Sequence, residues 1–230
     1  MRRVTSVARR YHTVTIAVIV GMKSEAALLP SSLAVACAGG IPARAEALAR
    51  EMVSKGATAL VSFGIAGGLD PSLHPGDMII ASGVETEGRI LAADEDWRYR
   101  LVGRYAGARS GLVVGATEVA ASVAGKARLF AARGALAVDM ESGAVAKVAA
   151  ETGLPLAVIR AVADPAHRTL PASALAGLDP QGNARPWAVM AGLLCRPGDL
   201  PGLIRVGLDS QRALSALGDL VQVVGPTLGF

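Results

Sequence analysis

Aromatic side chains are scarce in this chain. Phe, Trp and Tyr make up 3% of its 230 residues, whereas hydrophobic residues make up 52%. The core must therefore be built from Ala, Val, Leu and Ile, and a row of aromatic platforms for stacking the bases of single-stranded nucleic acid is excluded. The length and the hydrophobic content predict one domain with one sizeable core.

Positive charge is concentrated at the start of the chain and is balanced elsewhere. The formal net charge is +4 at pH 7, and four arginines lie within the first ten residues: Arg2, Arg3, Arg9 and Arg10. Without them the chain is nearly neutral, which argues against a nucleic-acid partner. We therefore predict a basic N-terminal arm over residues 1–12 and a single domain over residues 13–230. Attraction of the arm to anionic lipid leaves a peripheral membrane contact open.

Cysteines and long apolar runs are also few. Cys37 and Cys195 form no CxxC pair, which predicts buried, reduced thiols and a cytoplasmic setting. No apolar stretch approaches the roughly twenty residues that a membrane-spanning helix needs. Residues 14–20 follow the basic arm and fit either the apolar region of a signal peptide or a buried first strand. Their short length and β-branched content favour the strand.

Common cofactor motifs are missing as well. The sequence contains neither GxGxxG nor GxxxxGK[ST], the glycine patterns that bind dinucleotides and nucleotide phosphates. His74 and His167 have neither metal-ligand spacing nor a nucleophile partner in sequence, so neither is assigned to catalysis. We predict no metal and no organic cofactor.

Short apolar runs alternate with longer Ala-rich stretches, which is typical of an α/β domain with a mainly parallel sheet. Strands are predicted at residues 14–20, 33–36, 59–63, 77–82, 111–114, 135–138 and 156–161. Helices are predicted at residues 43–55, 122–133, 143–152, 185–194 and 200–217. Gly56, Gly134 and Gly153 follow predicted helices as left-handed caps. Residues 165–185, rich in Pro, Gly and small residues, predict an irregular loop that could act as a lid.

Three segments carry the functional signal. Residues 138–146 read VDMESGAVA, residues 62–70 read SFGIAGGLD with PGD at 75–77 downstream, and residues 160–165 read RAVADP. These segments resemble segments of the purine nucleoside phosphorylase and methylthioadenosine/S-adenosylhomocysteine nucleosidase superfamily, and they follow one another along the chain in the same order as in that superfamily. Its members cleave the bond between a base and C1 of its ribose.

That resemblance implies more than a reaction class. The implied fold is a three-layer α/β/α arrangement with a central mixed, mainly parallel sheet, like that of nucleoside phosphorylases. The implied partner is a small-molecule adenine nucleoside. The resemblance also implies a homo-oligomer, most simply a dimer, in which a neighbouring subunit completes the pocket.

The glycine segment has two interpretations. On their own, Gly64, Gly67 and Gly68 could simply permit a tight turn and close helix packing. The resemblance implies instead that Gly64, Ile65 and Ala66 contact the substrate. Two positions depart from the superfamily. Its nucleosidases and related phosphorylases have a serine where this chain has Ile65, and its bacterial phosphorylases have a phosphate-binding arginine where this chain has Ser62. Arg44 could supply the missing charge for phosphate, although a helix-surface arginine is the simpler interpretation.

The acidic segment also has two interpretations. Acids at the start of a helix favour the positive end of its dipole and can simply cap it, and Met140 fits a core position. The resemblance implies that Met140 packs under the ribose and that Glu141 accepts hydrogen bonds from the ribose hydroxyls, which suits carboxylate geometry. Asp139 is assigned to structure.

Two further acids are catalytic candidates. Asp164 follows a predicted strand and should emerge at the carboxyl edge of the sheet, where open α/β folds bind ligands, although an Asp before Pro is also an ordinary turn residue. The resemblance implies that Asp164 is the general acid that protonates purine N7, so that the base leaves neutral. Burial would raise the pKa of such a carboxyl. Glu25 resembles the glutamate that positions the attacking water in the nucleosidases; a solvated acid at a helix start is the alternative.

One branch of the superfamily matches more of the chain. The three segments, together with PGLIR at residues 201–205, resemble the hopanoid-associated phosphorylase, which is taken to release adenine from adenosylhopane. This resemblance implies phosphorolytic cleavage in hopanoid biosynthesis, with phosphate as cosubstrate, and an aliphatic pocket is compatible with the bulky 5' group. A hydrolytic methylthioadenosine/S-adenosylhomocysteine-type nucleosidase and a non-catalytic nucleoside-binding protein remain the alternatives.

Overall fold

Eight strands and seven helices form in the part of the chain that the computed structural model describes, residues 15–176, 183 and 186–230. The strands are β1 (Ile16–Val20), β2 (Ala34–Cys37), β3 (Ala59–Gly68), β4 (Met78–Thr86), β5 (Arg89–Ala92), β6 (Arg109–Gly115), β7 (Ala137–Asp139) and β8 (Leu156–Asp164). The helices are α1 (Lys23–Ala26), α2 (Pro42–Ser54), α3 (Glu95–Arg104), α4 (Val123–Arg133), α5 (Ser142–Thr152), α6 (Pro186–Cys195) and α7 (Leu200–Val224). The basic arm lies outside the described residues.

The strands form one mixed sheet in the order β2-β1-β3-β7-β6-β4-β5, and β8 pairs with both β3 and β4. Five pairings are parallel: β1 with β2, β1 with β3, β3 with β8, β4 with β6 and β6 with β7. Three are antiparallel: β3 with β7, β4 with β5 and β4 with β8. The predicted α/β class with a mixed, mainly parallel sheet is confirmed.

Helices cover both faces of this sheet. Side chains alternate between the faces along a strand, so Ala17 and Ile19 of β1 pack with one core cluster, which includes Ala45 of α2 and Val145 of α5. Its neighbours Ile16, Val18 and Val20 pack with the other, which includes Trp97 of α3 and Leu217 of α7. These buried residues of β1 agree with a first strand.

Several predicted strands end too early. The glycine segment belongs to β3, which continues to Gly68, and β8 continues to Asp164. A tight turn at Gly64 is therefore wrong, because backbone pairing with β8 extends through this segment. Strand β5 and helix α3 were not predicted. Helix α3 buries only two side chains, Trp97 and Leu101, so its apolar pattern is weak.

Other local predictions have mixed outcomes. Gly134 and Gly153 are left-handed caps with φ of 64° and 67°. Cys195 is exposed and Cys37 is half-buried, so the expectation of buried thiols is wrong for both. The predicted loop contains a 3₁₀ turn at Ala172–Ala176, and much of the rest of it lies outside the described residues. In the described ranges, no helix has both the length and the hydropathy needed to cross a bilayer.

Candidate active site

A cavity of about 420 Å³ opens where β3, β7 and β8 end. Strand register explains its position, because Gly67 of β3 pairs with Val138 of β7 on one side and with Asp164 of β8 on the other. The carboxyl ends of β7 and β8 therefore flank the glycine segment. The cavity is lined by Gly21, Met22, Glu25, Gly40, Ile65, Ala66, Gly67, Glu118, Val119, Ala120, Val138, Asp139, Met140, Glu141, Ala163, Asp164, Leu170, Ala174, Val206 and Ser210.

Glu25 lies in the wall of this cavity and is buried, with 2% of the residue exposed. Its Oε2 accepts hydrogen bonds from the backbone N–H groups of Gly21 and Met22, both at 2.8 Å. Its Oε1 accepts a third from the N–H of Ile65, also at 2.8 Å. Burial raises the pKa of Glu25, and the charge of Arg160 and the three backbone donors oppose that shift. The alternative of a solvated acid at a helix start is wrong.

Glu141 lines the same cavity as Glu25. It is buried, and its Oε1 lies so close to the backbone of Gly21 that a Cβ there would be 2.8 Å away. Burial raises the pKa of Glu141 to about 7; Arg160 opposes this shift, and the charges of Asp139 and Glu25 add to it. A group with this pKa exists in both protonation states near neutral pH.

Asp139, which lines the cavity, forms a buried ion pair with Arg160, which does not line it. The Arg160 Nε lies 3.0 Å from Asp139 Oδ2, and its Nη2 lies 3.0 Å from Oδ1. Asp139 Oδ1 also accepts the backbone N–H groups of Glu141 and Ser142, at 2.8 and 2.7 Å. These bonds begin α5 and fix the backbone of Glu141. The same guanidinium donates to Ser62 Oγ at 2.5 Å and lies 3.9 Å from Glu141 Oε2.

Gly64 does not line the cavity but lies directly behind it. A Cβ at this position would lie 2.5 Å from Glu25 Oε1 and 2.7 Å from Arg160 Nη1. A side chain is thus incompatible with the close approach of these two charged groups. The requirement for glycine here comes from packing behind Glu25 rather than from a turn.

Asp164 ends β8 at the carboxyl edge of the sheet, as expected, and reaches the cavity. Its Oδ2 accepts a hydrogen bond from Lys126 Nζ at 2.5 Å. Burial raises the pKa of Asp164, whereas the hydrogen bond and the charge of Lys126 oppose that shift. Burial therefore favours the protonated form of Asp164, which is the form that a general acid needs.

The structure brings together most of the predicted site residues. Glu25, Ile65, Ala66, Met140, Glu141 and Asp164 all line the cavity. Arg44 of α2 does not line it. The five acidic lining residues are Glu25, Glu118, Asp139, Glu141 and Asp164, and no basic residue lines the cavity within the described ranges.

Three contributions to the site were missed from the sequence. Arg160 was part of a matching segment but had no assigned role, although a single charge within the apolar run of β8 indicates a buried partner. Lys126 gave no signal, because one lysine in an Ala-rich helix is ordinarily solvent-exposed. Val206 and Ser210 of α7 reach the cavity from far along the chain, which only the tertiary structure determines.

The sequence pattern of the phosphorylase superfamily matches residues 30–185. The chain belongs to the phosphorylase superfamily. This membership confirms the prediction of an enzyme that cleaves a glycosidic bond. No curated protein matches the chain in sequence.

Solved structures share the fold of this superfamily member. S-adenosylhomocysteine nucleosidase from Streptococcus pyogenes is 15% identical with a TM-score of 0.67, and the match covers 94% of this chain and 99% of that one. The 5'-methylthioadenosine/S-adenosylhomocysteine nucleosidase from Neisseria meningitidis is 18% identical with a TM-score of 0.67, covering 94% and 100%. Futalosine hydrolase from Helicobacter pylori is 15% identical with a TM-score of 0.64, covering 91% and 97%. At these identities the likeness shows the fold.

Proposed function

We propose that this phosphorylase-superfamily member cleaves the N-glycosidic bond of a 5'-modified adenine nucleoside and releases adenine. The observation that carries the proposal is the meeting of Glu25, Glu141 and Asp164 around one cavity. Three carboxyl groups with different surroundings can serve three roles, namely positioning a nucleophile, binding ribose and donating a proton. The solved nucleosidases of the same fold act on nucleosides of this kind, as their names state.

In the proposed reaction, Glu141 accepts hydrogen bonds from the ribose hydroxyls and Met140 packs under the sugar. As the bond from C1 of the ribose to N9 of adenine breaks, its electron pair moves to the base, and Asp164 donates its proton to N7. Adenine then leaves as a neutral molecule. A nucleophile adds to C1 on the opposite face and forms the bond that replaces the broken one; when that nucleophile is water, the proton it loses passes to the Glu25 carboxylate, and solvent then restores both acids to their starting protonation states.

The charges around the cavity favour water over phosphate as that nucleophile. A phosphate dianion would meet five acidic lining residues and no basic one within the described ranges. Arg44, the candidate for a phosphate contact, is not among the lining residues. Glu25 lines the cavity and is held by three backbone donors, so it is placed to orient a water molecule. Phosphorolysis, which the hopanoid-associated resemblance implies, is the second candidate.

We propose adenosylhopane, within hopanoid biosynthesis, as the substrate to test first. The support is the motif resemblance together with the apolar part of the lining, which includes Val119, Leu170, Ala174 and Val206. An apolar wall suits a large hydrocarbon substituent at the 5' position. Methylthioadenosine and S-adenosylhomocysteine are the competing substrates. Whichever of the three is cleaved, we propose that the protein acts in the cytoplasm.

Product analysis tests the proposal directly. The protein is incubated with adenosylhopane, methylthioadenosine and S-adenosylhomocysteine, each with and without phosphate, and both the base and the sugar products are identified. Free sugar without phosphate selects hydrolysis, whereas a ribose 1-phosphate derivative formed only with phosphate selects phosphorolysis, and Arg44→Ala should then weaken the phosphate dependence. Nucleoside binding without release of adenine would show a non-catalytic binding protein and refute the proposed reaction.

We also propose a homodimer that completes the cavity. A groove of about 920 Å³ between α2, α4 and α5 adjoins it, and Glu118, Ala120 and Met140 line both. A second subunit seated in this groove would therefore touch residues of the cavity wall. This arrangement fits the symmetric assembly typical of soluble oligomers.

A peripheral contact with anionic membrane lipid is the last part of the proposal. Exposed apolar side chains cluster on α6 and the first half of α7: Met190, Leu194, Leu200, Ile204 and Leu208. The spacing of the last three puts them on one face of α7. Exposed Arg196 and Arg205 accompany them, and the four arginines of the N-terminal arm add positive charge that suits anionic lipid.

A further inference from the structure

Lys126 is a buried lysine on the first turns of α4, with no exposed surface. A buried ammonium group is costly unless it is paired and hydrogen-bonded. Here all three donors of Nζ are used. They bond Asp164 Oδ2 at 2.5 Å, the carbonyl oxygen of Pro165 at 3.0 Å and that of Arg168 at 2.9 Å. All three hydrogen bonds of the lysine therefore go to residues 164–168, the segment that contains Asp164.

The two carbonyl contacts give the ammonium group a fixed position. Pro165 and Arg168 belong to the backbone that follows β8, so Nζ is held by the same segment whose carboxylate it contacts. Oδ2 of Asp164 is therefore occupied by this fixed ammonium group. Among the described residues, Oδ1 has no hydrogen-bond partner, and Asp164 lines the cavity. One oxygen is held, and the other is available to a ligand.

Other charges also face Asp164. Arg168 follows β8, and Asp209 comes from α7; the first lowers and the second raises the pKa of Asp164. Arg168 is itself paired with Asp209, and Arg205 lines a small neighbouring cavity with both. Among the residues that the structure describes, Lys126 is the cation in direct hydrogen-bond contact with the Asp164 carboxyl. Of these charged groups, Lys126 is therefore the one whose removal should change the pKa of the Asp164 carboxyl most.

We propose that Lys126 is the positioning residue for the general acid, holding Oδ2 so that Oδ1 delivers its proton to the leaving base. This inference rests on the proposed function. When Oδ1 gives its proton to N7, Asp164 becomes a carboxylate, and the adjacent ammonium stabilises that charge. Because the charge develops during bond cleavage, the interaction is stronger in the transition state than in the ground state and so accelerates the chemical step.

Substitution of Lys126 combined with two kinds of leaving group tests this role. The substrates are the adenine nucleoside that the wild type cleaves fastest and 4-nitrophenyl β-ribofuranoside, whose nitrophenolate leaves without protonation. Lys126→Met should lower kcat on the nucleoside by about 10- to 100-fold, since general acid catalysis as a whole is typically worth about 10² to 10⁴. It should change turnover of the nitrophenyl riboside by less than about threefold, because that reaction uses no general acid.

The pH profile gives a second readout that a purely structural role would not move. Without the ammonium group, the pKa of Asp164 should rise, since Lys126 opposes the upward shift caused by burial. The alkaline limb of kcat on the nucleoside should therefore move to higher pH in Lys126→Met. If this variant does not fold, Lys126→Gln removes the charge, keeps donors for the two carbonyls and should show the same shift.

A matched control and clear contrary results complete the experiment. Lys55→Met removes a lysine whose Nζ is also 2.5 Å from a carboxylate, that of Glu51, but on the exposed surface of the protein; its kinetics should equal those of the wild type. Equal losses on both substrates with an unmoved pH limb would overturn the role of Lys126, as would unchanged turnover in Lys126→Met. A wild type that releases no adenine from any nucleoside would refute the proposed function and this role together.

Discussion

Arg160→Met is the sharpest test of how the site is held together. The guanidinium is 1% exposed and contacts Asp139, Ser62 and Ser142, with two bonds of 3.0 Å to the Asp139 carboxylate. Methionine fills much of the volume but donates no hydrogen bond. Asp139, whose side chain is 3% exposed, would then be a buried charge without its cation, although it would keep two backbone donors.

The expected cost follows from that burial. Removing one partner of a buried ion pair typically destabilises a protein by about 3 to 5 kcal/mol. For a domain of this size, 1 kcal/mol corresponds to about 2 to 4 °C in Tm, so Arg160→Met should lower Tm by about 6 to 20 °C. The control variant is Arg109→Met, which removes the Arg109–Asp70 ion pair. The two charged groups of that pair are 3.5 Å apart, and the arginine side chain is 47% exposed. Exposed pairs contribute at most about 1 kcal/mol.

Urea unfolding of the wild type and both variants, followed by circular dichroism, measures these free energies of unfolding. Matching transitions by fluorescence would establish two-state behaviour. A loss below about 1 kcal/mol in Arg160→Met, or losses that are equal in the two arginine variants, would contradict the structural role assigned to the Asp139–Arg160 pair.

Five shorter predictions concern the site and its surroundings. Asp164→Asn should lower turnover on an adenine nucleoside by about 10² to 10⁴ while leaving nucleoside affinity nearly unchanged; near wild-type turnover of folded protein would remove the proposed general acid. In the proposed role of Glu141, the ionised carboxylate offers both oxygens to the ribose hydroxyls, whereas the protonated carboxyl keeps only its carbonyl oxygen as a good acceptor. Its pKa is raised to about 7, so nucleoside affinity measured by calorimetry should fall as pH drops from 8 to 6, whereas Glu141→Gln should bind weakly at both values. The same raised pKa means that the unfolded state loses the proton first, so the free energy of unfolding should decrease as pH rises from about 4.5 to about 7, and less steeply in Glu141→Gln. Sedimentation should show a dimer, and a fully active monomer at low concentration would contradict the proposed assembly. Flotation with vesicles containing anionic lipid should recover the wild type and less of the Ile204→Glu variant, whereas recovery of equal amounts with and without anionic lipid would refute the lipid contact.

Sequence patterns predicted the secondary structure best for strands that are buried on both faces of the sheet. The β-branched runs of β1 and β8 lie between two core clusters, so their apolar character persists along the strand. Helix α3 was missed because only Trp97 and Leu101 are buried in it and most of its other residues are charged or polar. The capping aspartate Asp94, whose side chain accepts the N–H of Trp97, was the local signal for it.

The chain by itself determined the fold class, the family and the short segments that contain Glu25, Glu141 and Asp164, because hydrophobic periodicity and motif spacing are properties of neighbouring residues. Only the tertiary structure decided what surrounds those acids. The contact of Lys126 with Asp164 spans 38 residues, and that of Arg160 with Asp139 spans 21. Such pairs depend on strand register and helix placement, and burial then sets the pKa of each carboxyl through desolvation.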